Sequence, residues 1–405
     1  MRVREKRLAL TGLAALVVAV GSAPFPAAAQ RGGRSTARRP ALVVRHVSVR
    51  NSAALDHFHE ALGELQAGKR RSVRVYHFGD SNVAADLWTG EVRRYLQARY
   101  GDAGPGYLLP RPHGSWHLAP TKMEAGTGFE TRRHGFAKLF GPRDGLWGLS
   151  GVAMEGAGSS AWFKLQTVEL PPGGGIFDLH LLGQPAGGHL AVVVDRERPD
   201  DVDVALPRAG LVRQTWPLRA GRHVVQGQVV GAQPVRVLGM VVEYRQPGVV
   251  YDTLGINGHR VTAINIWSEP LLSSQFRARP PDLVVLSYGS NEGLSTTLTL
   301  DEYEAGLRRA IQRVRRLAPR ASCLLVGPVA MCPEPEKVTQ VNAIQRRVAP
   351  EYSCGFWESS QVSGGPGSLC NWIAADPTLV GRDHLHLRQG GYEIMARELI
   401  RAIVP

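Results

Sequence analysis

The sequence predicts an α/β fold, a parallel sheet between helices, interrupted by an inserted antiparallel β-sandwich module. Three observations predict it. An apolar strand pattern at 73–78 runs into a glycine turn and then a helical stretch. Strand and helix signals alternate again from residue 248 onward, and between 111 and 247 the periodicity is that of short strands alone. At 405 residues the chain also exceeds one typical domain.

Along the chain, Leu55, Phe58, Leu62 and Leu65 recur at helical spacing between Asn51 and Gly68, with Asn51 in the capping position. Val73, Val75, His77 and Phe78 read as a strand that Gly79 and Asp80 break, and a helix is expected from Ala85 to Tyr95. A Gly/Pro-rich passage, Gly101 to His113, leads into the runs Trp162–Leu170, Phe177–Leu182, Leu190–Val194, Leu211–Leu218, His223–Val230 and Val235–Tyr244. Such β-formers between Gly/Pro turns suggest an antiparallel sandwich. Then come Asp282–Ser287, Leu300–Leu317, Ser322–Val326, Val338–Val348 and a last helix after Gly391. On this reading residues 51–110 and 248–405 are two parts of one α/β domain and 111–247 the module. An insertion is tolerated where its two ends meet at the surface.

The chemistry is expected at the strand ends. Ser81 follows the first strand on a sharp turn, at the carboxyl edge where α/β sheets hold ligands. A hydroxyl is a poor nucleophile without a base and an oxyanion site. Asp383-His384-Leu385-His386 supplies a carboxylate three residues before a histidine, so Asp383 can orient one ring nitrogen of His386 while the other faces Ser81. His384 is the alternative histidine, but it lacks that offset. A buried strand from Asp282 ends in Gly289-Ser290-Asn291, offering an amide donor at the same rim.

These residues carry a resemblance. Gly79-Asp80-Ser81, Gly258 within Leu254-Gly-Ile-Asn-Gly-His-Arg260, Gly289-Ser-Asn291 and Asp383-x-x-His386 resemble the four ordered blocks of SGNH (GDSL-type) hydrolases. The resemblance implies a three-layer, flavodoxin-like hydrolase domain with Ser81 as nucleophile, His386 as base and Asp383 as orienter. It implies the Ser81 amide, the Gly258 amide and the Asn291 side chain as oxyanion donors. Gly255 shares the loop with Gly258, and either suits a tight turn. Asn82 stands where the family's name motif has leucine, and Glu292 where an aspartate often follows the third-block asparagine. The insert between the first and second blocks is similar to the carbohydrate-binding-like module of secreted peptidoglycan O-acetylesterases.

Arg2, Arg4, Lys6 and Arg7 precede an apolar run, Leu8 to Val20, and Ala27-Ala28-Ala29 supplies small residues, so residues 1–29 resemble a signal peptide cleaved after Ala29. The run falls short of the ~20 residues a membrane span needs. Residues 30–50 read as a flexible basic leader. Residues 1–50 hold ten Lys/Arg and one acidic residue, so only +4 of the net +13 belongs to the rest. That is no nucleic-acid footprint.

Export permits disulfides among Cys323, Cys332, Cys354 and Cys370. One bridge among Cys332, Cys354 and Cys370 is expected, with Cys323 as a buried thiol in its strand. Gly156 to Ala161 fits a loose dinucleotide pattern but leads into a strand. His57 and His59, two apart on a helix, point to different faces. Neither metal nor cofactor is expected. Trp116, Trp147, Trp162 and Trp216 of the insert read as core more readily than as sugar platforms. The expected function is an exported serine esterase that removes O-acetyl groups from a cell-wall or extracellular polysaccharide, peptidoglycan favoured. The alternatives are a small-ester or lipid acylhydrolase, an O-acetyltransferase, or a non-catalytic wall-binding protein on the same scaffold.

Overall fold

A computed structural model describes residues 42–108, 121–133, 144–375 and 377–405; the expected signal peptide, the expected leader up to residue 41 and Trp116 lie outside these. Five strands pair in parallel in the order Gly248–Gly255, Ser72–Gly79, Leu283–Ser287, Ser322–Val326 and Gly355–Trp357. Numbered along the chain this order is 2-1-3-4-5, the flavodoxin-like winding. Both faces of the sheet are covered, which is why its strands are continuous apolar runs. Val75, Tyr251, Val285 and Leu324 pack with Phe58, Leu62, Val92, Leu96, Met395 and Leu399 from helices Asp56–Gln66, Leu87–Tyr100 and Gln389–Ile403. On the opposite face Phe78, Leu254, Leu286 and Leu325 meet Phe276, Ile311 and Ile344 from helices Glu269–Ala278, Leu300–Leu317 and Glu336–Glu351. Each side chain so buried contributes about 1.5–3 kcal/mol.

The register positions the site. Gly79 stands opposite Gly255 on one side and Ser287 on the other, so three strands end in one row. Ser81, Gly258 and Asn291 follow that row by a few residues and emerge at one rim.

The module is a sandwich of two antiparallel sheets. One runs Gly210–Leu218, Gly175–Gly183, Val235–Tyr244, Val152–Gly156 and Phe129–Arg133, and Gly106–Leu108 also pairs with Val235–Tyr244. The other runs Lys122–Ala125, Trp162–Gln166, Val224–Val230, His189–Val194 and Asp200–Asp203. Phe163, Leu165, Leu179, Leu181, Val229 and Met240 fill the space between them. Leu182, Leu238 and Val241, with Tyr107 and Trp147, join the core beside the parallel sheet instead. At that seam Arg279 bonds Asp252 (2.7 Å) and Glu243 (2.7 Å), and Arg74 also bonds Glu243 (2.9 Å). Burial raises the Glu243 carboxyl, but the Arg279 and Arg74 guanidinium groups outweigh it and hold it at about 2.

Three local expectations are corrected. Asn51 adopts φ 54° and makes no side-chain cap; its Nδ2 donates to the Cys354 carbonyl, because the chain enters beside the edge strand. The helix expected from Ala85 to Tyr95 runs Leu87–Tyr100 instead, separated from a short turn Ser81–Ala84 by a break at Asp86 with φ 52°. The Asp86 carboxylate there accepts from Arg93, Thr89 and Thr253, which compensates the break. Cys323 is not a thiol: adjacent strands bring its Cα within 4.6 Å of that of Cys354, and the two are bonded. Cys332 pairs with Cys370, the one bridge expected among the other three. In the module Trp147 and Trp216 are buried, and Trp162 is half-buried.

Candidate active site

Gly79 ends its strand where a side chain could not fit: a Cβ would lie 2.3 Å from Val83 Cγ2 and 2.8 Å from the Ser287 carbonyl oxygen. The chain turns sharply there, and Asp80 caps the next turn by accepting from the Asn82 amide (2.9 Å). Ser81 is thereby left half-exposed at the rim. Burial holds the Asp80 carboxyl above its ordinary range, against the opposing Asn82 amide.

The histidine comes from a short excursion before the last helix. Val380 and Leu387 form an antiparallel bridge, and the Gly381 amide donates to the His386 carbonyl (2.7 Å). Inside this turn Asp383 Oδ1 accepts from the Leu385 and His386 amides, and Oδ2 lies 2.6 Å from His386 Nδ1. Partial burial raises the Asp383 carboxyl, but the His386 ring and these two amides win and hold it below the ordinary range. An ionised carboxylate can only accept, so Nδ1 carries the proton and Nε2 of the neutral ring is the acceptor. Ser81 Oγ lies 2.7 Å from that Nε2. The arrangement can move a proton from hydroxyl to imidazole while the carboxylate steadies the cation that forms.

His384 is exposed at φ 59°, and its ring makes no hydrogen bond among the described residues. Gly255 and Gly258 have separate jobs. A Cβ on Gly255 would lie 2.3 Å from the Ala84 nitrogen, whereas Gly258 takes φ 76° in the loop above. The amides of Ser81 and Gly258 donate to nothing among the described residues. Asn291 Nδ2 donates to the His259 carbonyl (2.9 Å), which leaves its second N–H.

Two contacts here have no local signal in the sequence. Asn82 Oδ1 accepts from the Tyr392 hydroxyl (2.8 Å), and Glu292 Oε1 accepts from the Val261 amide (2.8 Å). The departures from the family pattern at Asn82 and Glu292 were the available pointers to both.

The family model described as GDSL-like Lipase/Acylhydrolase family matches residues 226–394, a span holding the Gly258, Asn291 and Asp383–His386 blocks. Among solved structures, a peptidoglycan O-acetylesterase is similar with a TM-score of 0.72 at 21% identity, covering 89% of this chain and 97% of its own. A family two carbohydrate esterase from Cellvibrio japonicus is matched with a TM-score of 0.29 at 11% identity, covering 70% of this chain and 98% of its own. No curated protein matches the chain.

Proposed function

We propose that this chain, which carries a GDSL/SGNH-type acylhydrolase domain and is a carboxylic ester hydrolase, is an exported O-acetylesterase acting on a cell-wall or extracellular polysaccharide, peptidoglycan favoured. The observation that carries the mechanism is the unbroken chain from Ser81 Oγ through His386 to Asp383. Ser81 attacks the acetyl carbonyl as His386 Nε2 takes its proton. The Ser81 and Gly258 amides and the Asn291 side chain hold the oxyanion; its collapse expels the sugar alcohol, which leaves with the proton from His386. Water, deprotonated by the same imidazole, then attacks the acyl-enzyme and releases acetate, regenerating Ser81.

Residues 51–110 and 248–405 form the catalytic part in this reading, and 111–247 form a wall beside the rim. The basic, then apolar N-terminus supports export, and the fold shared with a peptidoglycan O-acetylesterase supports the substrate class.

Acetate release from O-acetylated peptidoglycan, from acetylated xylan and from long-chain 4-nitrophenyl esters tests the proposal. Peptidoglycan should be the best substrate, and Ser81→Ala should abolish turnover while remaining folded. Long-chain preference would favour a lipid acylhydrolase, transfer to a sugar acceptor would favour an acetyltransferase, and undiminished turnover by Ser81→Ala would defeat the site.

A further inference from the structure

We propose that Glu292 is a positioning residue for the oxyanion loop, fixing with Asn291 the backbone that follows Gly258. This rests on the esterase reading above and extends it to the side chain that holds one of its donors in place. Asn291 and Glu292 are consecutive on the turn Ser290–Gly293. The first donates to the His259 carbonyl (2.9 Å) and the second accepts from the Val261 amide (2.8 Å). Together they grip an acceptor and a donor two residues apart, beginning at the residue after Gly258.

The other side of Gly258 is fixed independently. Gly255 is paired with Gly79 in the sheet and pressed against Ala84, and the His259 amide closes the turn onto the Ile256 carbonyl (3.1 Å). Gly258 at φ 76° is thus the pliable residue between two anchored points. Releasing the downstream grip lets its amide drift, and a misplacement of ~1 Å at a reacting site costs on the order of 10²-fold.

The grip depends on reach. Glu292 is wholly buried, one of its oxygens holds Val261, and Oε2 has no hydrogen-bond partner. One acceptor at that distance suffices. Glutamine keeps it; aspartate, one methylene shorter, leaves the buried Val261 amide unpaired unless the loop moves. The charged and titratable groups facing Glu292 are Asp80 from the nucleophile turn, Arg260 from the loop, and Tyr288 and Tyr303 from the strand end and helix behind it.

The test compares Glu292→Gln, Glu292→Asp and Glu292→Ala with 4-nitrophenyl acetate, alongside Ser81→Ala, with near-UV circular dichroism confirming the fold. In the Asp and Ala variants kcat should fall about tenfold to a hundredfold, with KM unchanged within about twofold. The Gln variant should stay within about threefold of the parent. Parental kcat in folded Asp and Ala variants overturns the proposal, as does a Gln variant as slow as the Ala one. Should the Ala variant fail to fold, the Asp–Gln contrast decides alone. Turnover persisting in Ser81→Ala would instead remove the esterase reading and this inference with it.

Discussion

Tyr392 donates a hydrogen bond across 2.8 Å to Oδ1 of Asn82, and both side chains are buried. Asn82 adjoins Ser81 and Tyr392 lies in the first turn of the helix after His386, so this contact joins the two segments that bring hydroxyl and imidazole together. The Asn82 side chain also donates to Asp80 Oδ1 (3.3 Å). The leucine of the family motif could do neither.

Asn82→Leu leaves the buried Tyr392 hydroxyl without its acceptor, and Tyr392→Phe leaves the Asn82 carbonyl oxygen unpaired. Each should cost about 1–3 kcal/mol in urea unfolding and lower kcat about threefold to tenfold with KM unchanged. The double variant should lose less than the sum, because no orphaned polar partner remains between those two positions. Strict additivity would show that the contact is not a coupling.

Two buried groups make stability respond to pH in opposite senses. Burial lowers the His77 ring from 6.5 to about 3, so the fold keeps it neutral. Its contribution is complete above about pH 6.5 and is lost as pH falls toward 3, because the unfolded chain takes up a proton the fold refuses. Burial pushes the Glu292 carboxyl from 4.5 up to about 7, against the opposing Val261 amide. Here the fold holds a proton that the unfolded chain releases, so the contribution is complete below about pH 4.5 and is lost as pH rises through 7. A shift of that size corresponds to about 3 kcal/mol. Glu292→Gln should therefore gain stability relative to the parent between pH 5 and pH 8. Urea midpoints at the two pH values check this; an equal offset at both would contradict it.

The two disulfides should differ in what they protect. Cys323–Cys354 joins neighbouring strand ends. Cys332–Cys370 anchors the helix Leu369–Ile373, whose Trp372 carbonyl accepts from the Leu379 amide where the Asp383–His386 excursion begins. Replacing either pair by serines should cost about 2–4 kcal/mol, but only loss of Cys332–Cys370 should lower kcat appreciably. Equal kcat in both folded double variants would show that the second bridge does not reach the site.

The parallel sheet was legible because strands covered on both faces are apolar throughout, as in Leu283–Ser287 and Ser322–Val326. The residues of the candidate site were legible because each follows a strand end or lies at fixed spacing, as Asp383 does from His386. What stayed hidden depends on contacts across the chain. Nothing near Asp86 announces that Arg93 and Thr253 would compensate a left-handed break in the helix. Cys323 reads as an ordinary strand residue until the edge strand brings Cys354 alongside. Glu292 and Asn82 stood out only as departures from a pattern, without a hint of what they would hold.

The shared interior at the module's seam limits how far the sandwich can move relative to the parallel sheet. Leu182, Leu238 and Val241 lie in the same apolar mass as the sheet's own Phe78 and Leu286. Beside them Arg279 is clamped to Asp252 below and Glu243 above, with little of it reaching solvent. A sandwich attached in this way cannot swing like a bead on a string, since any hinge would have to open a desolvated ion pair and a dry core together. If the proposed polysaccharide is the substrate, accommodation of differently decorated chains must then come from the rim loops. Cutting the sandwich away would strand greasy surface on the remainder, so its role is better examined by altering its outer face than by excising it.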